Sequence, residues 1–213
     1  MAGTITALQV QTHNKERVNV FIDGQYALAV TGLAAVSLSK GQFLSDTEIE
    51  RLKQEDERSK AYERAIRFLG YRARSQAEVT RYLQDKGFPT VVIEDTVQRL
   101  VEQQYVDDEA FARFWLENRA QFRPRGRQAL RYELRQKGIA DEIIGTALSD
   151  VDEAALAWQA VASKLPRWRV LDEQTLKKKV MGFLSRRGFD YETISSTFER
   201  IKTSLDSLDD PVA

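Results

Sequence analysis

One phrase of this 213-residue chain occurs three times at nearly constant spacing. Leu83-Gln84-Asp85-Lys86-Gly87-Phe88 returns as Leu134-Arg135-Gln136-Lys137-Gly138-Ile139 and again as Leu184-Ser185-Arg186-Arg187-Gly188-Phe189, with the glycines 51 and then 50 residues apart. The apolar positions around the phrase align as well. Val79, Leu130 and Val180 precede the leucine by four, Ile93, Ile144 and Ile194 follow the Phe or Ile by five, and Val97, Leu148, Phe198 and then Leu100, Val151, Ile201 continue the series. A period of this size predicts stacked copies of one supersecondary unit, not a single fold around a central pocket. It turns the expectation from a catalyst toward an extended binding surface.

Inside each copy the spacing is helical, so one stripe faces a core. The Lys/Arg-Gly-Phe/Ile phrase ends a helix: glycine takes the left-handed cap position, the cation sits by the negative helix end, and the next apolar residue folds back over the last turn. Pro89 is expected to start the helix that follows in the first copy. A further helix precedes each phrase, over Ala61 to about Leu69, Glu109 to about Phe122 and Glu153 to about Leu165, with Asp107 or Asp108 as the N-cap of the second. The third copy has a longer connector, Pro166 to Gln174.

The first 60 residues differ. Ile5 to Val10 reads as a strand with a bend at Asn14-Lys15. Val18, Val20 and Ile22 form a second, Asp23-Gly24 the two-residue hairpin turn, and Tyr26, Leu28 and Val30 a third. A short helix is expected near Leu33, and Ser45-Asp46-Thr47-Glu48 is a capping box opening a helix through about Lys53. The expected fold is therefore mainly α: an elongated tandem array of three three-helix units, preceded by a small N-terminal β-hairpin or β-sheet element and a helix. The boundaries read as 1–44 for the β-element, 45–60 for a linking helix, 61–107, 108–152 and 153–206 for the units, and 207–213 for a disordered tail.

Composition narrows the chemistry. No apolar run approaches a membrane span and no signal pattern opens the chain, so a cytoplasmic location without membrane contact is expected. The absence of cysteine excludes disulfides and thiolate chemistry. His13, the single histidine, falls in a predicted strand–turn and reads as an exposed polar residue rather than a general base. No phosphate-binding glycine loop occurs, and Asp107-Asp108 point apart, which suits an N-cap better than a metal pair. No enzyme, cofactor or metal is expected.

Net charge is zero but segregated. Arg119 to Lys137 carries +6 and Lys164 to Arg187 carries +6, whereas Glu102 to Glu117 carries −4 and Asp141 to Glu153 holds five acids and no base. Arg127, Arg131 and Arg135 fall four apart on one helical ridge, with Arg119, Arg123 and Arg125 just before it. Such a ridge is either a solvated face, partly paired to nearby acids, or a concentrated field for phosphates or an acidic protein. Pro166-Arg167-Trp168-Arg169 is the second focus: a tryptophan between arginines suits base stacking with phosphate contacts, or tucks into a seam between helices. Lys177-Lys178-Lys179 spans enough of a helix that at least one lysine should bury its stem. Candidates for binding a partner or DNA are Arg72, Arg74, Arg119, Arg123, Arg125, Arg127, Arg131, Arg135, Lys164, Arg167, Trp168, Arg169, Arg186 and Arg187.

The ordered set of motifs resembles the RecX regulatory family. It comprises the three Leu-x-x-Lys/Arg-Gly-Phe/Ile phrases, Tyr71-Arg72-Ala73-Arg74-Ser75 before the first, Tyr105-Val106-Asp107-Asp108-Glu109-Ala110-Phe111-Ala112, and the N-terminal strands with Lys40-Gly41 ahead of the capping box. The resemblance covers about residues 3 to 205. It implies a modulator of the RecA recombinase, a curved array lying in the groove of the RecA–single-stranded DNA filament. Such proteins hinder filament growth, ATP hydrolysis, strand exchange and cleavage of the SOS repressor, and so act on homologous recombination and DNA repair. The implied partners are the RecA filament and single-stranded DNA within or beside it, met by a monomer. A protein of another class, a helix-turn-helix reader of one duplex sequence, is the alternative.

Overall fold

The computed structural model describes residues 2–209, with side chains as far as Leu205. The chain forms two compact units: residues up to Arg74 together with Val79–Tyr105, and Ser75–Glu78 together with Val106 onward.

The first unit opens with a four-stranded antiparallel sheet in the order β3-β2-β1-β4, made of β1 (Gly3–Val10), β2 (Arg17–Ile22), β3 (Gln25–Thr31) and β4 (Phe43–Leu44). Alternation puts Val18, Val20, Ile22, Leu28 and Val30 on the buried face with Ile5 and Leu44. The β2–β3 turn is the expected Asp23-Gly24, both residues at positive φ (47° and 81°). A register shift between Val20 and Phe21 departs from the simple alternation. It turns Tyr26 outward, 60% exposed, where its ring meets Phe21 edge-on. The two-residue β4, which pairs with Gly3 and Thr4, is too short to leave a periodic signal. Helix α1 (Gly32–Ala35), capped by Thr31, is the short helix expected near Leu33.

Ser45 and Glu48 form the expected capping box, but the helix they open does not stop at Lys53. Helix α2 runs Asp46–Leu69 without a break, merging the expected linking helix with the first helix of the first repeat. The physical reason lies in residues 54–60: they are polar but contain neither Gly nor Pro, and Arg51–Glu55 and Asp56–Lys60 pair at i,i+4. Asp56 lies on the buried face of this helix, held at 2.6 Å by Arg17 of β2 and at 2.7 Å by Lys60. Helices α3 (Gln76–Asp85) and α4 (Thr90–Glu102) complete the repeat. Ala61 and Ala65 of α2 are fully buried, α2 packs on α4, and Arg58 reaches Asp95 at 3.0 Å. Pro89 is the N-cap of α4, with extended ψ of 147°, so the helix begins one residue later than expected.

The second unit contains α5 (Asp108–Phe122), α6 (Arg127–Gln136), α7 (Asp141–Ser149), α8 (Glu153–Ala162), the single turn α9 (Leu165–Trp168), α10 (Glu173–Ser185) and α11 (Tyr191–Asp209). The expected connector from Pro166 to Gln174 is thus partly helical, and Asp172 caps α10. One continuous core runs from Phe111 to Ile201. The tail expected at 207–213 lies outside the described residues, apart from the backbone of α11 to Asp209.

All three repeats end their middle helix alike. Gly87, Gly138 and Gly188 take φ of 80°, 78° and 80°. The amide of each following residue donates back to Leu83, Leu134 or Leu184, and each glycine amide donates to the residue after that leucine. This is the Schellman arrangement. The stripe leucines themselves are fully buried. Three aligned positions differ: Phe88 and Val151 are only half-buried, and in the first repeat Thr96 is buried and Val97 only half-buried.

Candidate partner and nucleic-acid interface

The basic residues singled out by the sequence fall into three structural groups. In the first, the loop between α5 and α6 wraps around Glu133. This carboxylate, 16% exposed, accepts from Arg119 Nε at 2.6 Å and Trp115 Nε1 at 2.8 Å, and pairs with Arg125 at 3.0 Å. The Arg119 guanidinium also lies 4.3 Å over the Trp115 ring. The single acid of a +6 stretch therefore organises two of its arginines, because burial demands that a carboxylate be paired.

On the helical ridge the three arginines have different surroundings. Arg127 donates to the Val151 carbonyl at 2.7 Å and pairs with Glu153. Arg135 holds Asp141 through two bonds of 2.7 and 3.1 Å, which lowers the Asp141 carboxyl below its usual range. The side chains of Arg131, and of Arg123 at the end of α5, make no hydrogen bond or ion pair among the described residues.

The second group sits on the third repeat. Arg187 stacks on Phe183 at 3.9 Å, and Arg186 projects beside it. The Arg187 guanidinium is pushed down by burial and by the nearby charges of Arg125 and Arg186. The two basic segments, far apart in sequence, thus meet. What joins them is a backbone contact: the Gly126 amide donates to the Arg187 carbonyl at 2.9 Å, and a Cβ on Gly126 would lie 2.1 Å from the Gly188 carbonyl oxygen.

That joint is repeated. The Ser75 hydroxyl, 51 positions before Gly126, donates to the Lys137 carbonyl at 2.5 Å, and Gly138 lies against Ala77. The first acid of the next helix completes it each time. Asp108 accepts the Gln76 amide at 2.9 Å, and Glu153 accepts the Arg127 amide at 2.9 Å. Burial raises both carboxyls above the usual range, against the opposing pull of those amides. Asp107 is the N-cap, accepting from Glu109 and Ala110, so the Asp107-Asp108 pair serves the helix end and the joint.

Trp168 lies half-buried on α9 with its ring edge-on to Phe183, centroids 5.5 Å apart. The two readings of this tryptophan meet here: it packs against α10, and it also lines an open cavity of about 420 Å³ with Lys178, Lys179, Gly182 and Arg186. Lys164, Arg167 and Arg169 flank it along α9, the two arginines exposed. All three lysines of 177–179 are exposed, and Lys177 is the one that reaches toward the core, its Nζ 5.8 Å over the ring of buried Phe198. Lys177, Lys178 and Lys179 fall between the buried Leu176 and Val180, whereas Met181 and Phe183, in the next turn, pack half-buried against the core. Lys178, Lys179 and Phe183 line this cavity and are not among the candidates that the sequence reading selected. Their signal was present as 178, 179, 182, 183 and 186 recurring on one face of a helix.

The third group belongs to the first unit. Arg74 covers Phe68 at 3.9 Å, and Phe68 stacks on Tyr82 at 4.1 Å, while Arg72 donates to the Ala73 carbonyl. Among the described residues, no helix is long and apolar enough to cross a membrane.

Comparison with known proteins covers nearly the whole chain. The family model for the RecX N-terminal domain matches residues 3–45, and those for the first, second and third RecX three-helix domains match 61–100, 107–148 and 150–198. The regulatory protein RecX of Bacillus subtilis (strain 168) is 34% identical over 207 residues, covering 95% of this chain and 78% of its own. That of Listeria monocytogenes serovar 1/2a is 31% identical over 211 residues, covering 97% and 78%. A crystal structure of regulatory protein RecX superposes with a TM-score of 0.74 at 29% identity, over 95% of this chain and all of that one. The RecX structure from Lactobacillus salivarius, at 21% identity and a TM-score of 0.63 over 70% of this chain, shares the fold. Three glycine-capped helical repeats behind a small antiparallel sheet, matched in order along nearly the full sequence, show that this chain belongs to the RecX family of regulatory proteins.

Proposed function

We propose that this protein binds the RecA–single-stranded DNA filament as a monomer in the cytoplasm and inhibits its recombinase, ATPase and coprotease activities, so tuning DNA repair, homologous recombination and the SOS response. It does no chemistry of its own. The observation that carries this reading is family membership along nearly the whole chain, and the convergence of the two basic segments at Arg125, Arg186 and Arg187 supports it. Arg125 has Glu133, but Arg186 and Arg187 make no ion pair among the described residues, and a nucleoprotein filament supplies anions for them. Arg131 of the ridge and Arg123 at the end of α5 are the cations for which a partner would compete least against internal pairs, whereas Arg127 is tied into the repeat joint.

The test is the ATPase rate of the host's RecA on single-stranded DNA with this protein titrated in at sub-stoichiometric amounts. A fall in rate with shortening filaments is expected. An unchanged rate at excess protein overturns the proposal, and a footprint on one duplex sequence would then favour a duplex-reading role.

A further inference from the structure

The cavity on α10 has a composition that the helical array does not need. Lys178, Lys179 and Arg186 line it, no carboxylate does, and none of the three makes an ion pair among the described residues. Elsewhere in this unit several cations are matched, Arg119 and Arg125 to Glu133, Arg135 to Asp141, Lys137 to Glu78 and Lys202 to Glu173, while Arg123, Arg131 and Arg187 make no ion pair among the described residues but do not converge on one cavity. Three unmatched cations around one hollow repel each other until an anion enters. The rest of the lining is the aromatic pair Trp168 and Phe183 with Thr175 and Gly182. Trp168 is also held at a defined place. Its helical turn follows the bonds of Arg167 and Trp168 amides to the Lys164 carbonyl, and its ring abuts Phe183, whose own ring is covered by Arg187.

Cations at the rim and an aromatic wall match a phosphate joined to a flat, apolar-faced group. An acidic side chain would satisfy the cations but leave the indole without a partner. A duplex would present phosphates with its bases stacked away. A cavity of about 420 Å³ is within the range of small-ligand sites. We propose that this cavity takes one unpaired nucleotide of a single strand, with the base against Trp168 and Phe183 and the flanking phosphates at Lys178, Lys179 and Arg186. Stacking of this kind tolerates any base, because each has a π-face, so the site grips a strand without reading its sequence. The inference deepens the filament reading and rests on it for the source of the strand, although free oligonucleotide tests it directly.

The experiment is fluorescence anisotropy of a labelled 12-nucleotide oligo-dT with the full chain, beside a duplex of the same length, at several salt concentrations. Trp168→Ala should weaken oligo-dT binding by about 5- to 150-fold, the range for removal of one base–aromatic stack. Trp168→Phe should retain most of the affinity while removing the quenching of tryptophan emission that accompanies binding. Lys178→Gln/Lys179→Gln alters only exposed side chains, so it keeps the question open to test if Trp168→Ala proves unstable. It should lower the salt slope by about 0.7 for each phosphate that the variant no longer neutralises.

Wild-type affinity in both Trp168→Ala and the lysine double variant overturns the proposal, as does an equal weakening for single strand and duplex. If the wild type inhibits RecA yet binds no oligonucleotide, the pocket proposal fails and the filament reading stands, the cations then meeting protein. Trp168-dependent strand binding without any effect on RecA supports the pocket and removes the filament reading.

Discussion

Gly126→Ala should separate the second repeat from the third. Gly126 has φ of −73° and ψ of 162°, which any residue adopts, so no backbone strain attends the change. Its cost is steric. The added methyl would lie 2.1 Å from the Gly188 carbonyl oxygen, 2.3 Å from its carbon and 2.4 Å from the Phe189 nitrogen, all of them backbone atoms that cannot rotate aside. Reaching an ordinary separation near 3.4 Å requires the two segments to part by about 1.3 Å, a shift of the overpacking kind. That parting stretches the 2.9 Å bond from Gly126 to the Arg187 carbonyl beyond hydrogen-bond length. Overpacking at ~1–3 kcal/mol and a broken buried hydrogen bond at ~0.5–1.5 kcal/mol give a destabilisation of about 2–4 kcal/mol. Trp115, Trp158 and Trp168 all belong to the second unit, so urea unfolding followed by tryptophan emission reports this unit. Gly145→Ala is the control. That glycine is exposed in α7 with nothing within 4 Å of a Cβ, so alanine should stabilise by ~0.5–1 kcal/mol. Equal stability of Gly126→Ala and wild type would refute the close-packed joint.

Other perturbations discriminate between core, joint and surface. Leu134→Ala, at a fully buried stripe position, should cost about 2–5 kcal/mol in the same urea assay, and a neutral result would contradict its burial. Asp108→Asn keeps an oxygen for the Gln76 amide but removes a charge whose pKa burial raises. A carboxyl raised in the fold binds protons more tightly there than in the unfolded chain, so wild type gains stability as pH falls through the raised value toward the ordinary aspartate range. The variant should therefore be the more stable at neutral pH, with its advantage shrinking on acidification; an advantage that grows toward low pH would contradict the raised carboxyl. Arg131→Glu should weaken filament binding and flatten its salt dependence at unchanged melting temperature, whereas Arg127→Glu should also lower the melting temperature by breaking its bonds to Val151 and Glu153. Identical behaviour of the two variants would argue against their separation into surface and joint.

The repeat, its helical stripes and its glycine caps were legible from residue spacing alone. Each depends on neighbours within five or six positions, and local geometry decides them. Gly87, Gly138 and Gly188 adopt the left-handed cap conformation, and Leu83, Leu134 and Leu184 are buried, as the pattern requires. Local rules also explain the departures. A polar run such as 54–60 resembles a linker, yet with no helix breaker and with i,i+4 ion pairs it continues α2, and the bulge at Val20/Phe21 turns one residue out of the alternation.

Tertiary structure alone decided the fate of the charges. Spacing placed Arg127, Arg131 and Arg135 on one ridge, but not that Arg127 would bind the Val151 carbonyl, that Arg135 would hold Asp141, or that Glu133 would gather Arg119 and Arg125. Nor could it bring Arg125 beside Arg187, or Trp168 beside Lys178, Lys179 and Arg186. A side chain's charge is written in the sequence; its partner depends on a few ångströms of separation, and for residues tens of positions apart that separation is set only when the repeats pack.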